Sequence, residues 1–272
     1  MSGLILCQEK RAVHPLYVGE LGLHVYDGAE LSYYIYTNVL LINEEFIGEP
    51  LFEFLDQLGH ERLSERVRKL TEQKMNLSER LLYLLQELHY YSGTELFSLK
   101  KELEELAQAA PAARLKAKGD YLFRLGQYYN ALRIYDGILD GDSRELADSA
   151  FVGLIWANRG SCFARLEAFG EALDSYYKAW LLNGDRSLLE QMYVLGELGG
   201  LALPADAAAV MTEEDRNQFA CNLEDHRRLA QFSGKALEAE VLWDKPQEEQ
   251  AGAFRRLLES WKEEYRRNRV NA

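Results

Sequence analysis

Residues 115–138 read LKAKGDYLFRLGQYYNALRIYDGI, and residues 156–179 read WANRGSCFARLEAFGEALDSYYKA. Laid over each other, they pair Gly119 with Gly160, Ala131 with Ala172, Tyr135 with Tyr176 and Ile138 with Ala179, every pair 41 residues apart. In both copies the alanine follows the glycine by 12 positions and the tyrosine follows the alanine by 4. A small residue on a first helix, a small residue on a second and an aromatic one turn later describe a helical hairpin. Its helices should cross closely where both side chains are small, with the aromatic beside the crossing. Two such hairpins at one offset imply stacked repeats that bury their apolar faces on each other.

At these positions the chain resembles the tetratricopeptide repeat. That family places Trp or Leu four residues before the Gly, as Leu115 and Trp156 stand here. The family repeat is about 34 residues, so extra residues must lie between the copies. The acidic stretch Asp140 to Asp148 is the expected place, through a longer loop or a longer first helix. The resemblance implies a right-handed superhelix of helical hairpins and, for function, the binding of proteins or peptides. It also implies which residues line the groove: Lys116, Asp120, Phe123 and Arg124 from the first copy, and Asn158, Ser161 and Arg165 from the second. Some members clamp a partner's terminal carboxylate with Lys and Asn side chains. Lys116 and Asn158 match that pattern, but Asp120 sets a carboxylate where one would repel another. A wall carrying Lys116, Arg124 and Arg165 beside Phe123 suits an acidic or mixed segment with an apolar anchor. The competing expectation is that these charges are merely solvated, or that terminal helices of the chain fill the groove.

Outward from the repeats, residues 27 to 108 read as about five helices. Asp27 with Glu30, Asn76 with Glu79 and Ser92 with Glu95 have capping-box spacing. Pro50 suits a helix start, and Gly59 a helix stop. Before them, Leu4 to Cys7 and Leu23 to Tyr26 are short apolar or alternating runs, expected to pair as a two-stranded ribbon. Pro111 marks a kink into the first repeat. After Gly184, Met192, Leu195 and Gly196 begin like a third copy, with Ala208 twelve past Gly196, but Gly199 and Gly200 interrupt it. Thr212 with Asp215 caps a helix expected to reach Phe232. A last helix follows Pro246 and ends in Arg266, Arg267 and Arg269, cations at the negative end of the helix dipole. The expected organisation is an N-terminal unit at 1–110, repeats at 111–200 and C-terminal helices at 201–272. The fold class is mainly all-α, with a small N-terminal strand element.

The chain has 31 basic and 44 acidic residues, a net charge of −13. A nucleic-acid partner needs a basic footprint and is not expected. No apolar run is long enough for a membrane span, and Leu4 to Cys7 lacks the basic and apolar regions of a signal peptide. Cys7, Cys162 and Cys221 are three scattered thiols, which fits a reducing cytoplasm. Chemistry is sparse. His60-Glu61 opens like a zinc-protease helix motif, but Ser64 stands where a second ligand is required. Glu224-Asp225-His226 reads as a solvated face. No phosphate loop and no nucleophile elbow occurs, so no metal and no cofactor is expected. Four tyrosine doublets, such as Tyr33-Tyr34 and Tyr176-Tyr177, suggest one core and one rim residue each. The expected function is a non-catalytic interaction module or scaffold in the cytoplasm. The alternatives are an enzyme with a site near His14 and His24, or a structural subunit of an obligate assembly.

Overall fold

The repeated hairpins form as two pairs of antiparallel helices, α6 (Pro111–Arg124) with α7 (Tyr128–Leu139), and α8 (Ser149–Arg165) with α9 (Phe169–Asn183). The structure is a computed structural model that describes residues 10–141 and 148–270, with only the backbone for 264–270. The turns of the two hairpins share one geometry. Gly126 N–H donates to the Phe123 carbonyl and Gln127 N–H to the Leu122 carbonyl; 41 positions on, Glu167 N–H donates to Ala164 and Ala168 N–H to Phe163. Gly126 and Glu167 both adopt left-handed backbone, with φ of 76° and 60°. Each helix therefore ends in the same Schellman motif, although only the first copy has the glycine that relieves the turn.

The close crossing differs from expectation in one respect. The atoms nearest to each helix glycine belong to the tyrosine rather than to the alanine. A methyl placed on Gly119 would stand 2.7 Å from the Tyr135 ring, and one on Gly160 2.8 Å from the Tyr176 ring. The glycines are thus cradles for aromatic rings. Ala131, Ala172 and Ala179 are fully buried alongside. Part of the longer second copy is in its first helix: α8 starts 11 residues before Gly160, whereas α6 starts 8 before Gly119. The remainder falls in the connection, where residues 142–147 lie outside the described residues.

Among the described residues no third hairpin of this geometry follows. Helix α10 (Arg186–Gly199) ends at Gly200 in left-handed backbone, and the following α11 (Ala205–Val210) has only six residues. Gly196 packs against its own loop, at Leu201 and Leu203, and Ala207 rather than Ala208 is the fully buried alanine. Helix α12 (Glu213–Ala230) starts at the Thr212–Asp215 capping box and stops two residues before Phe232. A helix that the sequence reading missed follows, α13 (Gly234–Trp243), with Ser233 as its N-cap; then comes α14 (Gln247–Val270), the last helix among the described residues. The final arginines of α14 have no described side chains.

In the N-terminal part, Leu16–Val18 (β1) pairs antiparallel with Leu23–Val25 (β2), Tyr17 opposite His24. The partner of Leu23 to Tyr26 is therefore the run between Pro15 and Gly19; Leu4 to Cys7 lies outside the described residues. Period-2 alternation turns Leu16, Val18 and Val25 inward, leaving Tyr17 and His24 exposed on the other face. Helices α1 (Gly28–Thr37), α2 (Glu49–Leu58), α3 (Glu61–Glu72), α4 (Leu77–Leu88) and α5 (Gly93–Gln108) follow. Asp27, Asn76 and Ser92 each accept a hydrogen bond from the N–H three residues on, and Gly59 closes α2 in left-handed backbone. Val39–Leu41, between α1 and α2, is a single 3-10 turn. Leu31, Ile35, Leu51, Leu55, Leu84 and Leu85 form the centre of this part and are fully buried.

Among the described residues the chain is mainly helical, fourteen α-helices beside one two-stranded sheet. It divides into two units, one up to Arg114 and one from Leu115 to Val270. In the second unit α7 packs on α8, α8 on α9, α9 on α10 and α10 on α12. Among the described residues no helix is long and apolar enough to cross a membrane.

Candidate functional site

The second unit contains a groove of about 640 Å³. Phe123 of α6, Ser161, Ala164 and Arg165 of α8, and Gln191, Val194 and Leu198 of α10 line it on one side. Leu223, His226, Arg227 and Ala230 of α12 line it as well. α12 is held there by apolar contact: Phe219 and Leu223 are buried, and the Phe219 ring lies 5.9 Å from that of Tyr193 on α10.

The seven residues expected in a groove separate into two groups and one outlier. Phe123, Ser161 and Arg165 do line this groove. Lys116, Asp120 and Asn158 meet in a polar knot instead. Lys116 Nζ is 2.6 Å from Asp120 Oδ2, while the Tyr135 hydroxyl and Asn158 Nδ2 both donate to Asp120 Oδ1 at 2.7 Å. The two groups that could hold an incoming carboxylate are thus taken by the chain's own. Arg124 is exposed and holds its guanidinium 5.4 Å from the Tyr121 ring centre, away from the groove lining. The sequence reading missed the whole contribution of α12. His226 belonged to a cluster read as a solvated face; Glu224 and Asp225 are solvated, and His226, though exposed, borders the groove.

A tyrosine at the same repeat position serves each hairpin differently. Tyr135 reaches Asp120; Tyr176 shares a hydrogen bond of 3.0 Å with Ser161, the residue 41 positions after Asp120. Burial raises the pKa of Tyr135, and the Asp120 carboxylate raises it further. Burial also raises that of Tyr176, against a smaller opposing effect of the Ser161 hydrogen bond. Cys162 is fully buried, and burial pushes its thiol up to about 12.

An alkaline loss of stability follows from the tyrosines. Their folded-state pKa values lie above the unfolded value of about 10. The stabilisation is therefore complete below that value and is lost as pH rises through the raised ones. Thermal melts from about pH 8 to about pH 11.5 should show the midpoint falling beyond about pH 10. The fall should be smaller in Tyr176→Phe; an equal fall in that variant would remove Tyr176 as a cause.

In the other unit, His14 and His24 are exposed, and the His14 backbone N–H donates to Gln57. His60 is exposed at the start of α3. Of the doublets, Tyr34 and Tyr176 are buried and Tyr33 exposed, but Tyr128 and Tyr129 are both half-buried. Among the described residues no three His, Cys, Asp or Glu side chains gather as a metal site would require. No protein-family model, no curated protein and no solved structure matches this chain.

Proposed function

We propose that this chain is a non-catalytic interaction module whose groove binds a segment of a protein partner. Its second unit is read here as two tetratricopeptide-like hairpins stacked in a superhelical sense, with α10 as the start of an incomplete third. The supporting observation is the groove itself, about 640 Å³ along the first helices α6, α8 and α10. Its lining sets Phe123, Ala164, Val194, Leu198 and Leu223 beside Ser161, Arg165, Gln191, His226 and Arg227, the mixture of a recognition surface. The identical turn geometry at Gly126 and Glu167 supports the repeat reading. The net charge of −13 disfavours nucleic acid as the partner. The reading assigns the cytoplasm, on the strength of the free thiols of Cys162 and Cys221.

Affinity capture from the native host tests this. Val194→Trp places a large ring in the groove, and Arg165→Glu reverses the charge at its edge. Partners held by the unaltered chain should be lost from both variants, with melting temperatures retained. Arg124→Glu, outside the lining, should capture the same set. A partner set unchanged in Val194→Trp and Arg165→Glu would rule the groove out as the binding surface.

A further inference from the structure

Several cations of the second unit are paired within the chain. Lys116 pairs with Asp120, Arg159 with Asp136, Lys178 with Asp174, Arg186 with Asp215 and Arg228 with Asp225. Arg165 and Arg227 are set apart by their place on the groove. Both line the groove, one from α8 and one from α12, and among the described residues neither has an ion pair or a hydrogen-bond partner. In a chain with 13 more acidic than basic residues, two arginines bordering one apolar floor with no carboxylate between them are complementary to an anion from outside.

We propose that Arg165 and Arg227 are the anion-recognising pair of this groove, and that its occupant is a short peptide with an acidic side chain next to an apolar one. This rests on the reading of the groove as the partner site and adds residues and a ligand chemistry to it. The guanidinium fork matches a carboxylate bidentately, and each arginine reaches in from a different helix. The floor for the apolar neighbour is Phe123, Ala164, Val194, Leu198 and Leu223. His226 stands beside Arg227 on the lining and adds a further donor on the same side.

The test uses the full chain on arrays of synthetic heptapeptides with Leu or Phe as anchor. Next to the anchor stands Asp or Glu, phosphoserine, Lys or Gln. At physiological salt the chain should be retained on the Asp and Glu peptides. Arg165→Glu with Arg227→Glu should lower that retention by about tenfold or more. Both side chains are exposed, so the double variant should melt like the parent. Retention of phosphoserine peptides alone, equal retention of Gln peptides, or no retention above the Gln background would each overturn the proposal. Charge-independent retention that Val194→Trp abolishes would do so while leaving the groove reading standing. Retention that Val194→Trp does not change would remove both. Saturable binding of decanoate by the groove with no peptide retained would identify a lipid pocket and overturn the peptide assignment.

Discussion

Gly160→Ala should destabilise the protein, although alanine is the better helix former. On an open helix surface the exchange stabilises by about 1 kcal/mol. Here the new methyl would stand 2.8 Å from Cδ1 and 2.9 Å from Cε1 of Tyr176. The ring has nowhere to retreat: Tyr176 is 5% exposed and its hydroxyl is bonded to Ser161. Overpacking of this kind costs about 1–3 kcal/mol, occasionally more, and outweighs the propensity gain. Gly119→Ala should behave alike, because its methyl would meet the Tyr135 ring at 2.7 Å and that ring is 1% exposed. Each kcal/mol lowers the melting midpoint by about 2–4 °C in a chain of this size. The control is a double-mutant cycle. With Tyr176→Leu already in place the ring is gone, and Gly160→Ala should become neutral or stabilising. A raised midpoint for Gly160→Ala in the parent chain would show that the ring does not lie against that glycine. Ala172→Leu, into a site with no exposure, is expected to cost a similar amount by the same mechanism.

Asp120→Ala should cost about 2–4 kcal/mol, more than an ion pair on a helix surface would account for. Three donors converge on that carboxylate, and they do not lose equally. The Tyr135 hydroxyl is attached to a nearly fully buried ring, and it also lies 3.5 Å from Asn158 Nδ2. Asn158 Nδ2 loses its short bond as well. A buried donor left unmet costs about 1–3 kcal/mol. Lys116, whose side chain is 23% exposed, can turn its ammonium to water and contributes less. The expected ranking in urea unfolding is therefore Asp120→Ala worst, Asp120→Asn intermediate and Lys116→Ala mildest. Asparagine still offers Oδ1 to Tyr135 and Asn158 but forfeits the charge. If Lys116→Ala cost as much as Asp120→Ala, the knot would be an ion pair with incidental neighbours.

The same knot shows how a motif can be present in sequence and already be in use. Lys116 and Asn158 are 42 residues apart and look like two halves of a carboxylate clamp. Asp120, one helical turn from Lys116, supplies a carboxylate from within the chain. The sequence showed the wrong charge at that position, read as repulsion toward a ligand. That the three side chains and Tyr135 close on one another depends on the crossing of α6, α7 and α8.

Helices, their starts and the repeat were legible because their causes are local. Asp27, Asn76, Ser92 and Thr212 each cap a helix through the N–H three residues on, a distance that spacing alone determines. Gly59 and Gly184 stop helices in left-handed backbone for an equally local reason. The 41-residue offset marked two hairpins that share one turn geometry and one glycine–tyrosine contact. Strand pairing was not determined in this way. Leu23–Val25 took Leu16–Val18 as partner, where alternation is weak over three residues and the tight turn between them decided the choice. α13 escaped notice because none of its residues is buried, so no apolar stripe marked it out from its surroundings. The groove was legible by half. Phe123, Ser161 and Arg165 had been expected from the resemblance, but Leu223, His226 and Arg227 enter from a helix about 60 residues further on, outside the two similar hairpins. No periodicity links those two stretches. Only the packing of Phe219 and Leu223 in the tertiary structure places α12 there, because burial of apolar surface is non-directional and carries no signature in spacing between distant segments.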